Sequence, residues 1–357
     1  MTLKQRIQEI NNQYDKEFWW KADMYSRPIH FETQYITDKY KKHIEINESV
    51  ESIHDLLKLI RKYPIDPTIT YTIQMEKLYA IEEPLKALNS MIGMKELKRA
   101  VLDQILYYIQ DLHKVHENSN EYLHTVLSGS PGTGKTEVAK ILGSIFSRLS
   151  ILSKTGFKKA TRDDFIAGYL GQTSLKTREL IERTRGSVLF IDEAYSLGHS
   201  DKRDSYAKEA IDTLNEALSD YRKDWMVIIA GYEDELKRCF FSYNSGLHSR
   251  FPWWYKLEDY NGEELCQIFQ KLAKEQGWTT QTLEKEWFEK HRKTYFTQNG
   301  RDMETLLTKS KIAYGRCMFG KRIEKPPVIT QAIVEKGFQM YCKNRDVKES
   351  VNLPMYM

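Results

Sequence analysis

Two groups of residues in this 357-residue chain are of the types, and at the spacing, that phosphate chemistry needs. The first is Gly129-Ser130-Pro131-Gly132-Thr133-Gly134-Lys135-Thr136. Three glycines let a turn aim successive backbone N–H groups inward, and a helix starting there adds the positive end of its dipole. Lys135 then places a point charge on the β- and γ-phosphates of a triphosphate, and the Thr136 hydroxyl is offered to Mg²⁺. The second group is Asp192-Glu193, which closes the apolar run Val188-Leu189-Phe190-Ile191. Two adjacent carboxylates at the end of a buried strand are costly unless a cation or a water uses them. Strand C-termini are also where open α/β sheets bind ligands. Asp192 suits Mg²⁺ through its water shell, and Glu193 suits a base polarising the attacking water, a role worth roughly 10²–10⁴ in rate.

Both groups need strands and helices to position them, and the sequence supplies these from about residue 90. Short β-branched runs at 124–129, 188–193 and 226–232, with weaker ones at 157–161 and 253–257, alternate with helical patterns such as Val138, Ile141, Leu142, Ile145 and Phe146. Nearly all-apolar strands alternating with helices predict a parallel five-stranded sheet covered on both faces. Beyond residue 260 the segments 262–274, 284–296, 301–315 and 329–342 read as a small all-helical domain. Upstream, residues 1–85 read as a separate, mostly helical region. Leu3, Ile7, Ile10, Tyr14 and Phe18 form one stripe, and Val50, Ile53, Leu56, Leu57 and Ile60 form another that Pro64 stops. Between the stripes lies an aromatic-rich stretch, Phe18 to Tyr40, that periodicity does not resolve. The predicted division is 1–85 for this region, 86–258 for the α/β domain, 259–345 for the helical domain and 346–357 for a tail.

Composition narrows the class. With 41% hydrophobic and 29% charged residues the chain is neither collagen-like nor wholly disordered. A net charge of +4 neither demands nor forbids nucleic acid. No apolar run is long enough to span a membrane, the start lacks the apolar core of a signal peptide, and the 4 cysteines form no C-x-x-C pair. These features predict a cytosolic protein. The abundance of Lys, Ile, Tyr and Asn is that of an AT-rich microbial or large-DNA-virus genome, the host cytoplasm being the compartment in the latter case.

In order along the chain, MIGMKELKRAV (91–101), GSPGTGKT (129–136), GYLGQTSLKT (168–177), VLFIDEAYSL (188–197), EAIDTLNEAL (209–218), VIIAGYEDEL (227–236) and GLHSRFP (246–252) resemble the AAA+ ATPases. Within these they are most similar to the CbbX/CfxQ branch, which includes red-type Rubisco activases and the sporulation protein SpoVK. The resemblance covers about 88–342. It implies a P-loop α/β domain with a helical lid, ATP with Mg²⁺ as the nucleotide, and assembly with further copies of itself into a ring, usually hexameric, with ATP between subunits.

Further roles follow from the resemblance, position by position. Arg250 matches the arginine finger that reaches a neighbour's γ-phosphate, a contribution of roughly 10³–10⁵ in comparable systems. Arg301 matches the sensor-2 arginine of the lid. Ile92 and Gly93 match the segment that packs the adenine. Tyr169 falls where the family carries its central-pore aromatic, which grips an extended polypeptide; the following Gln172-Thr173-Ser174 reads as a helix cap. Tyr232 stands near the place of the polar sensor-1 residue, leaving Glu233 and Asp234 as candidates for that group. The implied activity is ATP hydrolysis coupled to remodelling of a protein client, with 1–85 recruiting or positioning it. Two other readings belong to different classes. A nucleic-acid motor would use the basic, aromatic-interleaved stretch Lys285–Arg301, which helical spacing explains equally as lid packing. A nucleotide-switched scaffold with little turnover would need neither Glu193 nor Arg250.

Overall fold

The computed structural model describes residues 41–114, 121–169, 171–198, 204–322 and 325–343. The helical stripe over 3–18, the aromatic stretch 18–40 and the tail 346–357 lie outside them. The chain divides into two compact units, one running through Ser128 and again from Lys135 to Leu257, the other made of Gly129–Gly134 and the residues from Glu258 onward.

The first unit opens with β1 (Lys42–Ile44), α1 (Ile53–Lys62), β2 (Ile69–Tyr71), α2 (Met75–Ala80), α3 (Glu82–Ser90) and α4 (Lys95–Ile109). Helix α1 begins where Ser52 caps it, its hydroxyl accepting from the Asp55 N–H at 3.2 Å, and ends just before Pro64. Strands β1 and β2 pair in parallel, so the mostly helical segment also carries a small two-stranded sheet. Three-residue strands are too short to show a period, which is why the sequence does not reveal them. Ile53, Leu56, Ile60, Leu78 and Leu85 are buried in one cluster with Leu102, Phe146, Met226 and Tyr255. The described part of 1–85 therefore shares the core of the α/β unit.

The main sheet follows: β3 (Thr125–Gly129), α5 (Lys135–Arg148), β4 (Phe157–Ala160), α6 (Thr173–Thr184), β5 (Val188–Ile191), α7 (Ser205–Asp220), β6 (Met226–Gly231), α8 (Ser245–Ser249) and β7 (Trp253–Leu257). The strand order is β4-β5-β6-β3-β7, with β3 and β6, β4 and β5, and β5 and β6 running parallel. All five expected strands are present. Alternation along each strand sends Val126, Leu189, Ile191, Val227 and Ile229 to one face, against Leu180, Ile211 and Leu214 of α6 and α7. Leu127, Val188, Phe190, Met226 and Ile228 go to the other, against Leu102, Leu142 and Phe146. Each such fully buried side chain contributes about 1.5–3 kcal/mol. The strands are apolar on both faces because helices cover both. This places the C-terminal ends of β3 and β5 at the same edge of the sheet, one on each side of β6.

The second unit contains α9 (Gly262–Glu275), β8 (Thr279–Thr280), α10 (Lys285–Tyr295), α11 (Gly300–Met318), β9 (Val328–Ile329) and α12 (Gln331–Cys342). All four expected helices form, and a short parallel pairing of β8 with β9 is added to them. A capping box of Asn261 and Glu264 starts α9. Helices α11 and α12 approach so closely that a Cβ at Gly337 would lie 2.6 Å from Ser310 Oγ.

Candidate nucleotide site

The loop between β3 and α5 has the backbone that its glycines predict. Gly132 and Gly134 take φ of 71° and 93°, values that side-chain-bearing residues rarely adopt. Buried Thr133 braces the turn, its hydroxyl donating to the Ser130 carbonyl at 2.8 Å. Within the second unit three consecutive carbonyls of this loop are engaged. Asn299 Nδ2 donates to Pro131 O at 3.3 Å, Gly300 N–H to Gly132 O at 3.0 Å, and the Tyr260 hydroxyl to Thr133 O at 3.0 Å. Asn299 and Tyr260 were not visible as site residues in the sequence, because their partners lie 168 and 127 positions away.

At the start of α5 and the end of β5, Thr136 Oγ1 lies 3.4 Å from Asp192 Oδ2. The half-buried Asp192 also holds Lys159 of β4, whose Nζ is 2.6 Å from the same oxygen. Lys159 was missed as well: it sits in a five-residue run whose pairing with β5 fixes its place only in three dimensions. Glu193 follows in the left-handed region at φ 52° and is exposed. A hydroxyl and a carboxylate oxygen this close fit Mg²⁺, which takes one or two protein oxygens and fills its remaining positions with water and phosphate. Among the described residues no group of three His, Cys, Asp or Glu forms a cage for any other metal.

Two tyrosines join this cluster. Lys135 Nζ lies 5.5 Å from the centre of the Tyr232 ring, and that ring stacks on Tyr195 at 5.7 Å. Tyr195 also explains Gly231, since a Cβ there would meet its ring at 2.8 Å. Burial, with the Glu193 charge adding to it, pushes the Tyr195 hydroxyl up to about 12, so it stays protonated at neutral pH. Tyr232 thus meets Lys135 and Tyr195 through its ring. Of the two acidic candidates for the sensor-1 role, Glu233 is drawn to Lys237 at 2.6 Å and Lys256 at 3.8 Å, and Asp234 is exposed.

Arg250, at the end of α8, folds back onto its own chain, Nε donating to Ser219 Oγ at 2.7 Å and Nη1 to Gly246 O at 2.6 Å. Beneath it the fully buried His124 ties three elements together. Its Nδ1 accepts from the Val227 N–H at 3.1 Å and its Nε2 lies 3.1 Å from Leu218 O. Arg301 is exposed in the first turn of α11. Ile92 and Gly93, both half-buried, form the turn between α3 and α4, with Gly93 at φ 67°. Tyr169 is 74% exposed, and a Cβ on either Gly168 or Gly171 would meet nothing within 4 Å. The expected cap by Gln172-Thr173-Ser174 is not the one found. Glu209 Oε1 accepts from the Ser174 N–H at 3.1 Å, while Thr173 Oγ1 accepts from the Ala167 N–H at 3.2 Å and so ties down the preceding loop. In the basic stretch Lys285–Arg301, Lys285 pairs with Glu263, and Arg292 with Glu289 at 3.1 Å.

A profile of the ATPase family associated with various cellular activities (AAA) matches residues 125–245, the span from β3 to α8 that holds the phosphate loop and the paired carboxylates. A cfxQ-like protein of Acanthamoeba polyphaga mimivirus is 34% identical over 284 residues, covering 78% of this chain and 69% of that protein. The chain belongs to the CbbX/CfxQ-like branch of the AAA ATPases. A chloroplastic ribulose bisphosphate carboxylase/oxygenase activase of Cyanidioschyzon merolae is 32% identical, covering 73% of this chain and 93% of its own length. Stage V sporulation protein K of Bacillus subtilis is 36% identical over 210 residues, 58% of this chain and 64% of that protein. Among solved structures, the AAA domain of FIGL-1 in complex with ADP superposes with a TM-score of 0.52 at 19% identity, over 71% of this chain and 83% of that one, a likeness of fold. As a member of this family the protein is an ATPase, and ATP is its nucleotide. No described helix is long and apolar enough to cross a membrane.

Proposed function

We propose that this ATPase remodels a protein client in the cytoplasm as a ring of identical subunits, six being the number usual in the family. Residues 86–258 are its ATPase domain, 259–345 its lid, 346–357 a tail and 1–85 the part that recruits or regulates. The phosphates lie on the amides of 129–134 with Lys135 at their β/γ end. Ile92 and Gly93 pack the adenine, and Arg301 reaches the nucleotide from the lid. Thr136 and Asp192 would hold Mg²⁺, which when bound neutralises charge developing on the phosphate oxygens. Lys159, paired with Asp192, would compete with the ion for that carboxylate. Glu193 accepts a proton from the attacking water, and Arg250, released from Ser219 and Gly246, stabilises the γ-phosphate of the adjacent subunit. Tyr169, an exposed ring in an uncrowded loop, grips the client.

The observation that carries this reading is the approach of Thr136 Oγ1 to Asp192 Oδ2, with Lys135 next to the one and an exposed Glu193 next to the other. Its test is ATP turnover across a protein concentration series, beside Glu193→Gln and Arg250→Ala. Turnover per subunit rising with concentration, and both variants binding ATP without hydrolysing it, would support catalysis shared between subunits. Wild-type turnover no faster than the variants at every concentration, with or without an unfolded polypeptide, would overturn the motor in favour of the scaffold.

A further inference from the structure

The phosphate loop has two edges, and its residue types explain only one of them. In a trans peptide the C=O of one residue and the N–H of the next point in opposite directions. Holding the carbonyls of Pro131, Gly132 and Thr133 on one side therefore turns the amides of Gly132, Thr133 and Gly134 to the other, the arrangement an anion nest requires. The holding groups are Asn299 Nδ2, Gly300 N–H and the Tyr260 hydroxyl.

Asn299 is built for more than this one contact. It is 2% exposed, and its backbone takes φ 51° and ψ −121°, a region that costs a residue with a side chain of order 1–3 kcal/mol. The same amide group donates to Asp259 Oδ1 at 2.9 Å, and its Oδ1 accepts from the Tyr260 N–H at 3.1 Å. Asp259 and Tyr260 lie in the connector that follows β7, where the chain passes from the first unit into the second. From behind, buried Asp302 fixes the turn, its Oδ2 accepting from the Gln298 N–H at 2.7 Å. One strained, fully bonded side chain thus holds both the loop and the connector.

We propose that Asn299 and Tyr260 are positioning residues that orient the phosphate loop and couple its occupancy by nucleotide to the connector 258–260. This rests on the reading that the loop binds nucleotide phosphates. Neither residue touches a phosphate. They act through the loop's carbonyls, so a peptide in 131–133 cannot rotate to follow a departing phosphate without breaking a bond to Asn299, Gly300 or Tyr260.

Asn299→Gly is the informative variant, because glycine adopts the observed backbone without strain while losing every side-chain bond. Tyr260→Phe removes one hydroxyl and little else. Each is expected to weaken ADP and ATP binding about tenfold, the size of one buried hydrogen bond. The double variant should lose less than the product of the two losses, since both act on one loop. A merely structural role would lower the melting temperature of the nucleotide-free protein. Here the relieved strain, about 1–3 kcal/mol, offsets the three lost hydrogen bonds, about 1 kcal/mol each, so Asn299→Gly should leave it nearly unchanged. ADP should slow hydrogen exchange of the amides at 258–262 in the wild type and not in either variant. If both variants bind ADP within twofold of the wild type and keep that protection, the inference is wrong. If Asn299→Gly does not fold, Tyr260→Phe decides by the same two measurements. If the wild type binds ADP no better than Lys135→Ala, the nucleotide reading of the loop fails first and this inference falls with it.

Discussion

Replacing Gly132 by alanine tests the geometry of the loop most severely. A Cβ there would lie 2.0 Å from the Gln298 carbonyl oxygen, 3.1 Å from its carbon and 3.0 Å from the Arg301 nitrogen. All three are backbone atoms with no rotamer to escape into, so the two segments must separate until ordinary contact near 3.4 Å returns. The conformational strain at φ 71° costs only about 1–2 kcal/mol. Separation also breaks the hydrogen bonds of Pro131, Gly132 and Thr133 to Asn299, Gly300 and Tyr260, each worth about 1 kcal/mol. Strain alone would weaken nucleotide binding roughly tenfold, whereas strain plus lost bonds, about 4–5 kcal/mol, would weaken it by about 10³ or more.

Two glycines of the same unit serve as controls. Gly277 has φ 75° and nothing within 4 Å of its Cβ position, so Gly277→Ala carries strain without a clash. Gly315, inside α11, has neither, and Gly315→Ala should stabilise by about 0.5–1 kcal/mol. Urea unfolding should rank the three as Gly315→Ala above wild type, Gly277→Ala about 1 kcal/mol below, and Gly132→Ala lowest. Titration with ADP should find only Gly132→Ala impaired, by more than 100-fold on the estimate above. An affinity for Gly132→Ala within tenfold of the wild type would mean that the loop and the Gln298–Arg301 turn do not meet as described.

Three other perturbations reach separate parts of the molecule. Burial, reinforced by the Arg250 charge and opposed by the bond to Leu218, lowers His124 from 6.5 to about 4. Between those values the unfolded chain binds the proton and the folded one does not, so stability is full above pH 6.5 and falls as pH drops toward 4. Denaturation at pH 7 and pH 5 should differ by about 2 kcal/mol from this group, and an imidazole that titrates near 6.5 in NMR spectra would refute the assignment. Lys159→Met removes the cation that occupies Asp192, so half-maximal ATP turnover should need severalfold less Mg²⁺; a higher requirement would show that Lys159 assists the site. Tyr169→Ala should leave unstimulated ATP turnover near the wild-type value and abolish its stimulation by unfolded polypeptide, and a retained stimulation would remove Tyr169 from the client path.

What the sequence discloses and what it withholds divide along physical lines. The loop from Gly129 to Thr136 is legible because its function resides in the backbone, and glycine at fixed spacing is a local requirement. The four helices after residue 260 are legible because each carries its own period. Lys159, Glu209 and Tyr260 are not, since each acts through a partner that only the fold brings near, and the short pairings β1–β2 and β8–β9 leave no pattern to read. Asn299-Gly300 lies between these cases. As a dipeptide it reads as a turn, and the structure adds the reason for both residues. Asparagine bears backbone strain here, at φ 51° and ψ −121°, and its amide is long enough to reach Pro131 and Asp259 together. Glycine must follow it, because a Cβ at Gly300 would come within 2.9 Å of the Gly132 oxygen. Gly132 and Gly300 are joined by the hydrogen bond from the Gly300 N–H to the Gly132 carbonyl, Gly300 clearing the Gly132 oxygen and Gly132 clearing the flanking Gln298 and Arg301 backbone. A side chain on either should therefore open the same contact, and the second change, made after the first, should cost much less than it does alone.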